Sequence, residues 1–330
     1  MTTELAHYME EYLQHLALRG RKPSTLKRYR YDLLDFCNWV RTTRADKLPL
    51  DQKEVSAAEL ELFFAELLEE RRYHTRTIRR IHSVLRQVAR YEASLGRSHL
   101  RPVLELEPPN LTELPLNEEE WLSAKEKKRL LHTLSSEHGL SAQQLETFPF
   151  YRERNQLIVV LMLKYGLSLR EVHHLSIRDV KFETNDILVR YEEPLRRITL
   201  DDGDKQLAYR YFQTIPEPVR PCYHSADPFF VAFDFKRKTF HWSYDDDQPK
   251  RMTIIAIQKM LRIEVKRAGL RKGISAQTLR NTFILEQFRQ GVTGDELISR
   301  IGYTSPLSLK RYLQTVEEMP QKQKEAASEG

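Results

Sequence analysis

Residues 106–117 read L-E-P-P-N-L-T-E-L-P-L-N, and Pro108, Pro109 and Pro115 forbid a continuous helix there. Each proline lacks the N–H that a helix needs and crowds the turn before it. A break this complete in a chain of 330 residues predicts two domains, each with a core of its own. We place the first over 1–107, a linker over 108–118, the second over 119–318 and a polar tail over 319–330.

The first domain reads as four helices. Leu5, Tyr8, Met9, Tyr12, Leu13 and Leu16 recur at helical spacing. Leu26, Tyr29, Leu33, Phe36, Cys37 and Val40 do the same, behind a start at Ser24 or Thr25. Ser56-Ala-Ala-Glu59 has the pattern of a capping box, in which hydroxyl and carboxylate satisfy the free N–H groups of a helix start. Leu60, Phe63, Phe64, Leu67 and Leu68 follow it as a buried face. In the fourth helix Ile78, Ile81, Leu85 and Val88 form the apolar stripe, while Arg76, Arg79, Arg80, Arg86 and Arg90 stay off it. A small bundle with a basic helix on its surface can press into a DNA groove.

Charge supports that reading. The chain carries a net charge of +6, and from Arg71 to Arg101 nine arginines face one acid, Glu92. From Lys250 to Lys272 eight lysines and arginines face one acid, Glu264. Clusters this one-sided suit a polyanion, because each cation set near a phosphate releases condensed counterions. One such cluster alone would be read as a solvated helix face; two in different domains favour nucleic acid. No run of 18 apolar residues appears and the first residues, M-T-T-E-L-A-H-Y, lack the apolar stretch of a signal peptide, so no membrane is expected and the cytosol is. Cys37 and Cys222 stand far apart without a C-x-x-C pattern, which argues against a disulfide framework or a zinc site.

Beyond the linker come two helical patterns, then a hairpin of 186–191 and 197–200 around Glu192, Glu193 and Pro194. Further helices are expected from Lys205, Met252 and Thr278, with a strand at 229–233, and the final E-A-A-S-E-G has the composition of a disordered end. The chain is therefore expected to be mainly α, its second domain mixed but mostly helical around a small antiparallel sheet.

Two motifs carry a resemblance. Y-G-L-S-L-R-E-V-H-H-L-S-I-R-D-V, residues 165–180, resembles T-G-L-R-x-S-E-L-x-x-L-x-x-x-D-I, and T-L-R-N-T-F-I-L-E-Q-F, from Thr278, resembles H-x-L-R-H-T-F-A. These boxes belong to the tyrosine recombinases, the phage-integrase and Xer-like family, and the likeness extends over nearly the whole chain. It implies a four-helix core-binding (SAM-like) domain ahead of a catalytic domain, the two clamping double-stranded DNA, and oligomers assembled on that DNA. It implies no metal and no cofactor. In the family a tyrosine oxygen attacks a backbone phosphorus and displaces the 5′-hydroxyl, two arginines hold the non-bridging oxygens, a hairpin lysine protonates the leaving oxygen, and histidines assist.

Carried over residue by residue, Arg280 matches the second arginine, and Tyr312, nine residues past Tyr303, matches the nucleophile. The first arginine's position holds Ser168, the two histidine positions hold Gln277 and Tyr303, and the lysine falls near Glu192. A hydroxyl or an amide brings no charge to an oxyanion, and a carboxylate repels it. Arg170, Arg190 and Arg196 lie close enough in sequence to be compensating cations, although Arg170 projects about 200° round a helix from Ser168. His173 and His174 are adjacent and point apart on a helix, so a metal role is not expected. Two readings stay open: a recombinase that cuts and rejoins DNA through Tyr312, and a DNA-binding relative that has lost the cutting and acts as an accessory or regulator.

Overall fold

The computed structural model describes residues 4–44, 50–107, 114–191, 195–303 and 305–328, with side chains as far as Met319. The chain divides into two compact units, Met1–Glu113 and Leu114–Gly330. Both are dominated by helices, as the sequence predicts.

In the first unit α1 (His7–Leu18), α2 (Pro23–Thr43), α3 (Ala57–Glu69) and α4 (Thr75–Ser94) form the bundle, and a single turn, α5 (Pro102–Glu105), closes it. The expected stripes are its core: Met9, Leu33, Phe36, Leu60, Phe63 and Val88 are all fully buried, while Leu68 turns outward. Helix α2 starts two residues ahead of the hydroxyl start read from the sequence. Lys22 is its N-cap and Pro23 the first helical residue, where a missing N–H costs nothing and φ is preset. The Ser56–Glu59 capping box forms as predicted.

The second unit opens inside the segment assigned to the linker. Leu116 is buried and its N–H donates to Thr315 Oγ1 at 2.8 Å, so the residues just before 118 pack into this unit, and Pro108 and Pro109 lie outside the described residues. Then come α6 (Ala124–Ser135), α7 (Ala142–Lys164) and the short α8 (Leu169–His174). The last turns of α7, Leu157–Leu163, are buried on every side, which makes it the central helix of the core. Strands β1 (Val180–Lys181), β2 (Asp186–Val189) and β3 (Arg196–Thr199) form an antiparallel sheet in that order. In its register Val189 faces Arg196 and Ile187 faces Ile198. Because strand side chains alternate, Arg196 and Ile198 are buried while Arg197 and Thr199 face out.

Helix α9 (Asp202–Thr214) follows, then two two-stranded ribbons, β4 (Phe233–Asp234) with β5 (Thr239–Phe240) and β6 (Trp242–Ser243) with β7 (Gln248–Pro249). The strand expected at 229–233 is reduced to Phe233 at its end. Phe229 and Phe230 are instead packed on all sides, with Phe229 N–H donating to Leu175 O and Met252 N–H to Phe230 O. Helices α10 (Ile254–Arg267), α11 (Ala276–Arg289), α12 (Gly294–Ile301) and α13 (Lys310–Ser328) complete the unit. Of the final E-A-A-S-E-G expected to be disordered, Glu325–Ser328 continue α13 as helix, and residues 329–330 lie outside the described residues; Glu and Ala are good helix formers.

Candidate active site

Ser168 is the N-cap of α8: its Oγ accepts the N–H of Glu171 at 3.2 Å, and Glu171 Oε2 accepts the N–H of Ser168 at 2.6 Å. The loop before it lies on α11, for Gly166 has φ +70° and a Cβ there would sit 2.5 Å from the Phe283 ring. Only glycine permits both the conformation and the approach. On α11 itself Gln277 and Arg280 are three residues apart and share a face. These side chains, with Glu171, Tyr191 from the end of β2 and Tyr303 from the turn after α12, line a cavity of about 240 Å³. Four of the five positions assigned to the catalytic set, Ser168, Gln277, Arg280 and Tyr303, thus meet at one place.

The electrostatics of that place centre on Glu171, 8% exposed. Arg280 Nη1 donates to its Oε2 at 2.9 Å and Arg280 Nη2 to Ile301 O at 2.7 Å, while the guanidinium lies 5.1 Å from the Tyr303 ring centroid. Arg196, 7% exposed, brings Nη2 to 2.7 Å from Glu171 Oε1. The two form a buried ion pair, and the Nε and Nη1 of Arg196 have no hydrogen-bond partner among the described residues. Burial pushes the Arg196 guanidinium below its ordinary value, and the pull of Glu171 opposes that. Gly302, left-handed at φ +70°, lets Arg196 in: a Cβ there would stand 3.2 Å from its Nη1. One carboxylate therefore holds two arginines, leaving a local charge of +1 (two cations less one anion).

Tyr312 lies in the first turn of α13, outside the residues lining the cavity. It is 7% exposed, in a small core with Leu116, Phe283, Ile301 and Leu309. Its hydroxyl donates to Asn281 Oδ1 at 2.8 Å, and the same oxygen accepts from Gln277 Nε2 at 2.8 Å. Asn281 in turn donates to Glu120 O. The phenol is thus joined to the cavity wall through one amide.

The cations expected to compensate are placed differently from one another. Arg170 is exposed, donates to the Tyr191 hydroxyl at 3.1 Å and does not line the cavity. Arg190 pairs with Asp179 at 2.9 Å beside a neighbouring cavity. Arg196 alone reaches the same carboxylate as Arg280. Glu192 lies outside the described residues. His173 and His174 bond to Met252 O and Arg170 O, and among the described residues no cluster of metal-ligating side chains occurs.

On α4, Arg76 and Arg90 are exposed and Arg79 and Arg86 half-buried. Arg80, of the same expected set, is held by a carboxylate: its Nε and Nη2 donate to the two oxygens of buried Asp32, each at 2.8 Å. Beside that pair α2 and α4 bound a groove of about 520 Å³ to which α2 adds Lys27, Arg28 and Tyr31.

Residues 8–95 match the family described as phage integrase, N-terminal SAM-like domain. The chain is 23% identical over 303 residues to tyrosine recombinase XerC of Caldanaerobacter subterraneus subsp. tengcongensis, covering 86% of this chain and 75% of that one. Its fold is similar to that of the XerH site-specific recombinase in a post-cleavage complex with palindromic difH substrate, with a TM-score of 0.63 at 15% identity over 97% of this chain and 83% of that one. It is also similar to the Tn1549 transposon integrase in complex with transposon right end DNA, with a TM-score of 0.62 at 16% identity over 96% and 98%. The chain thus has the tyrosine recombinase fold behind an N-terminal domain of the phage-integrase SAM-like type.

Two residues, Glu171 in the cavity wall and Asn281 behind it, escaped the role assignment made from sequence. Glu171 was legible in part, since S-x-x-E at 168–171 is a capping box, but its second task of pairing two distant arginines has no local signal. Asn281 sits inside the matched T-L-R-N-T-F, at a position that the sequence left without a role.

Proposed function

We propose that this protein clamps duplex DNA in site-specific recombination or integration, and that strand cleavage through Tyr312 is slow or absent. The observation that carries the proposal is the Arg280–Glu171–Arg196 cluster beside a cavity whose Ser168 wall offers a hydroxyl where the family places an arginine. A phosphate entering there meets Arg280 already held by a carboxylate. Negative charge building on its oxygens gains one cation with a counter-charge beside it. Distant phosphate contacts tighten binding and leave the barrier untouched.

The roles follow. Arg280 contacts the phosphate, Ser168 and Gln277 hydrogen-bond it, Tyr303 stacks on Arg280, and Tyr312 holds the nucleophile's position. Arg76, Arg79, Arg86 and Arg90 face the backbone of bound DNA. The XerH and Tn1549 complexes, and a lambda integrase dimer bound to a core site, support DNA as the partner and an oligomer on it, of this chain alone or with a related subunit. No described helix is long and apolar enough to cross a membrane, and we place the protein in the cytoplasm.

The alternative is an accessory or regulatory DNA-binding protein with no cleavage at all, a reading that the burial of Tyr312 against Asn281 favours. To separate the two, duplexes selected for binding from a random pool are nicked along one strand, so that the displaced fragment diffuses away and religation is blocked. An SDS-stable protein–DNA adduct that disappears in Tyr312→Phe identifies a recombinase; binding without adduct identifies the accessory protein. Failure to retain any duplex would sink both.

A further inference from the structure

The second unit has a larger opening, which shares no residue with the cavity at Arg280. It is a cleft of about 690 Å³ between α7 and α10, floored by the chain from Ala232 to Phe235, within the size range of small-ligand sites, about 300–1,000 Å³. Its walls are mostly apolar: Tyr151, Phe233, Phe235, Met252, Met260 and Ile263 line it with a few polar groups, the carboxylate of Glu264 among them, and Phe235 is half-exposed in its mouth.

At the floor stands Arg154, 2% exposed. A buried guanidinium is ordinarily paired with a carboxylate, because removing its charge from water costs several kcal/mol. Arg154 has no carboxylate at ion-pair distance among the described residues. Its contacts are long ones to neutral oxygens, Val231 O at 3.3 Å and Asn155 Oδ1 at 3.3 and 3.4 Å. The nearby carboxylate, Glu264, is already taken by Asn155 at 2.9 Å and by Arg267 at 2.7 Å. Lys236, Lys250 and Lys259 add three exposed cations at the rim, none with a carboxylate partner among the described residues. The cleft pairs an apolar interior with a surplus of positive charge both deep and at the mouth.

We propose that it binds an amphipathic organic anion, an aromatic or medium-chain acyl carboxylate, with the apolar body between α7 and α10 and the carboxylate drawn to Arg154 or the lysine rim. Such a ligand matches both halves of the lining; a bare phosphate would leave the apolar walls wet, and a neutral hydrocarbon would leave Arg154 without a counter-ion.

The test uses the full-length protein and the fluorescence of anilinonaphthalene sulfonate, an aromatic anion. We expect one saturable site, displaced by decanoate at least tenfold more effectively than by decanol. Ala256→Trp, which fills the cleft from the half-buried face of α10, should abolish it, and Lys250→Glu should weaken decanoate about tenfold. Lys250 is exposed and Ala256 half-buried, and thermal unfolding of each variant checks that it is folded, so the outcome does not depend on the survival of an Arg154 variant. Displacement by decanol as strong as by decanoate, or binding unaltered in Ala256→Trp, would overturn the proposal. Displacement by duplex DNA would do so as well, by assigning the lysine rim to the nucleic-acid surface.

Discussion

Replacing Ser168 with arginine tests whether the missing charge limits the chemistry. The hydroxyl caps α8 by accepting the N–H of Glu171 at 3.2 Å, and its loss costs about 1 kcal/mol of stability. The reciprocal bond, from Ser168 N–H to Glu171 Oε2, is a backbone donation and survives the change. In exchange a guanidinium enters the wall of a 240 Å³ cavity that already contains Arg280 and Gln277. One donor aimed at developing charge is worth roughly 2.7–4 kcal/mol, about a hundredfold to a thousandfold in rate. We therefore expect Ser168→Arg to raise the rate of adduct formation on nicked duplex by about two orders of magnitude and to leave duplex affinity nearly unchanged. Adding Glu192→Lys should raise it further, by more than either change gives alone, because both act on one transition state. The readout is the SDS-stable adduct over time, with Tyr312→Phe as the blank and thermal unfolding as the check on folding. A folded Ser168→Arg protein that binds DNA but forms no more adduct than its parent would refute the charge argument. Rapid cleavage by the parent, lost in Arg196→Ala or Arg190→Ala, would show that the strand arginines had taken over.

Three further outcomes follow from particular contacts. Arg79→Ala with Arg86→Ala should weaken DNA binding and flatten its logarithmic salt dependence by about one per lost phosphate contact, whereas Arg80→Ala should leave that slope alone and lower the melting temperature by stranding buried Asp32; salt titrations and unfolding curves distinguish them. Glu171→Gln leaves Arg196 and Arg280 buried without their shared counter-charge, and urea unfolding should record a loss of about 3 kcal/mol. The Glu59 carboxyl is held down to about 2 from its ordinary 4.5, chiefly by the hydrogen bond from Arg44. A depressed carboxylate contributes stability above its unfolded value and loses it as the pH falls toward the folded one, so Glu59→Gln should cost about 2 kcal/mol at neutral pH and almost nothing near pH 2.

What could be read in the sequence was whatever local periodicity or capping chemistry decides. The four helices of the first unit, the Ser56–Glu59 box and the β2–β3 pairing all rest on residues within a few positions of one another. Where reading failed, the deciding partner was remote. Phe229 and Phe230 have the composition of a strand, yet the chain there bonds to Leu175 and Met252 and fills the core. Arg80 belongs by spacing to a basic face, and only the fold places Asp32, 48 residues away, under it. The same limit applies at the candidate site. Alternation along β3 could place Arg196 on the inner face, but nothing near it announces Glu171 on another element.

Glu171 then explains why the altered site holds together. With two guanidiniums on one carboxylate, removing the anion would bury two uncompensated like charges, while adding a third cation at Ser168 would raise the local charge from +1 to +2. A cavity carrying +2 is costly when empty and favourable around a phosphate, so catalytic charge and resting stability oppose each other here. The chain as it stands sits on the stable side of that opposition: Glu171 neutralises part of the charge, Ser168 caps α8, and the Tyr312 hydroxyl is engaged by Asn281. Cleavage would need Tyr312 to exchange that bond for one to phosphorus, while Arg280, whose Nε has no partner among the described residues, could keep its hold on Glu171. That exchange gives up a buried contact, and a second cation at Ser168 would add electrostatic stabilisation around the phosphate to offset it.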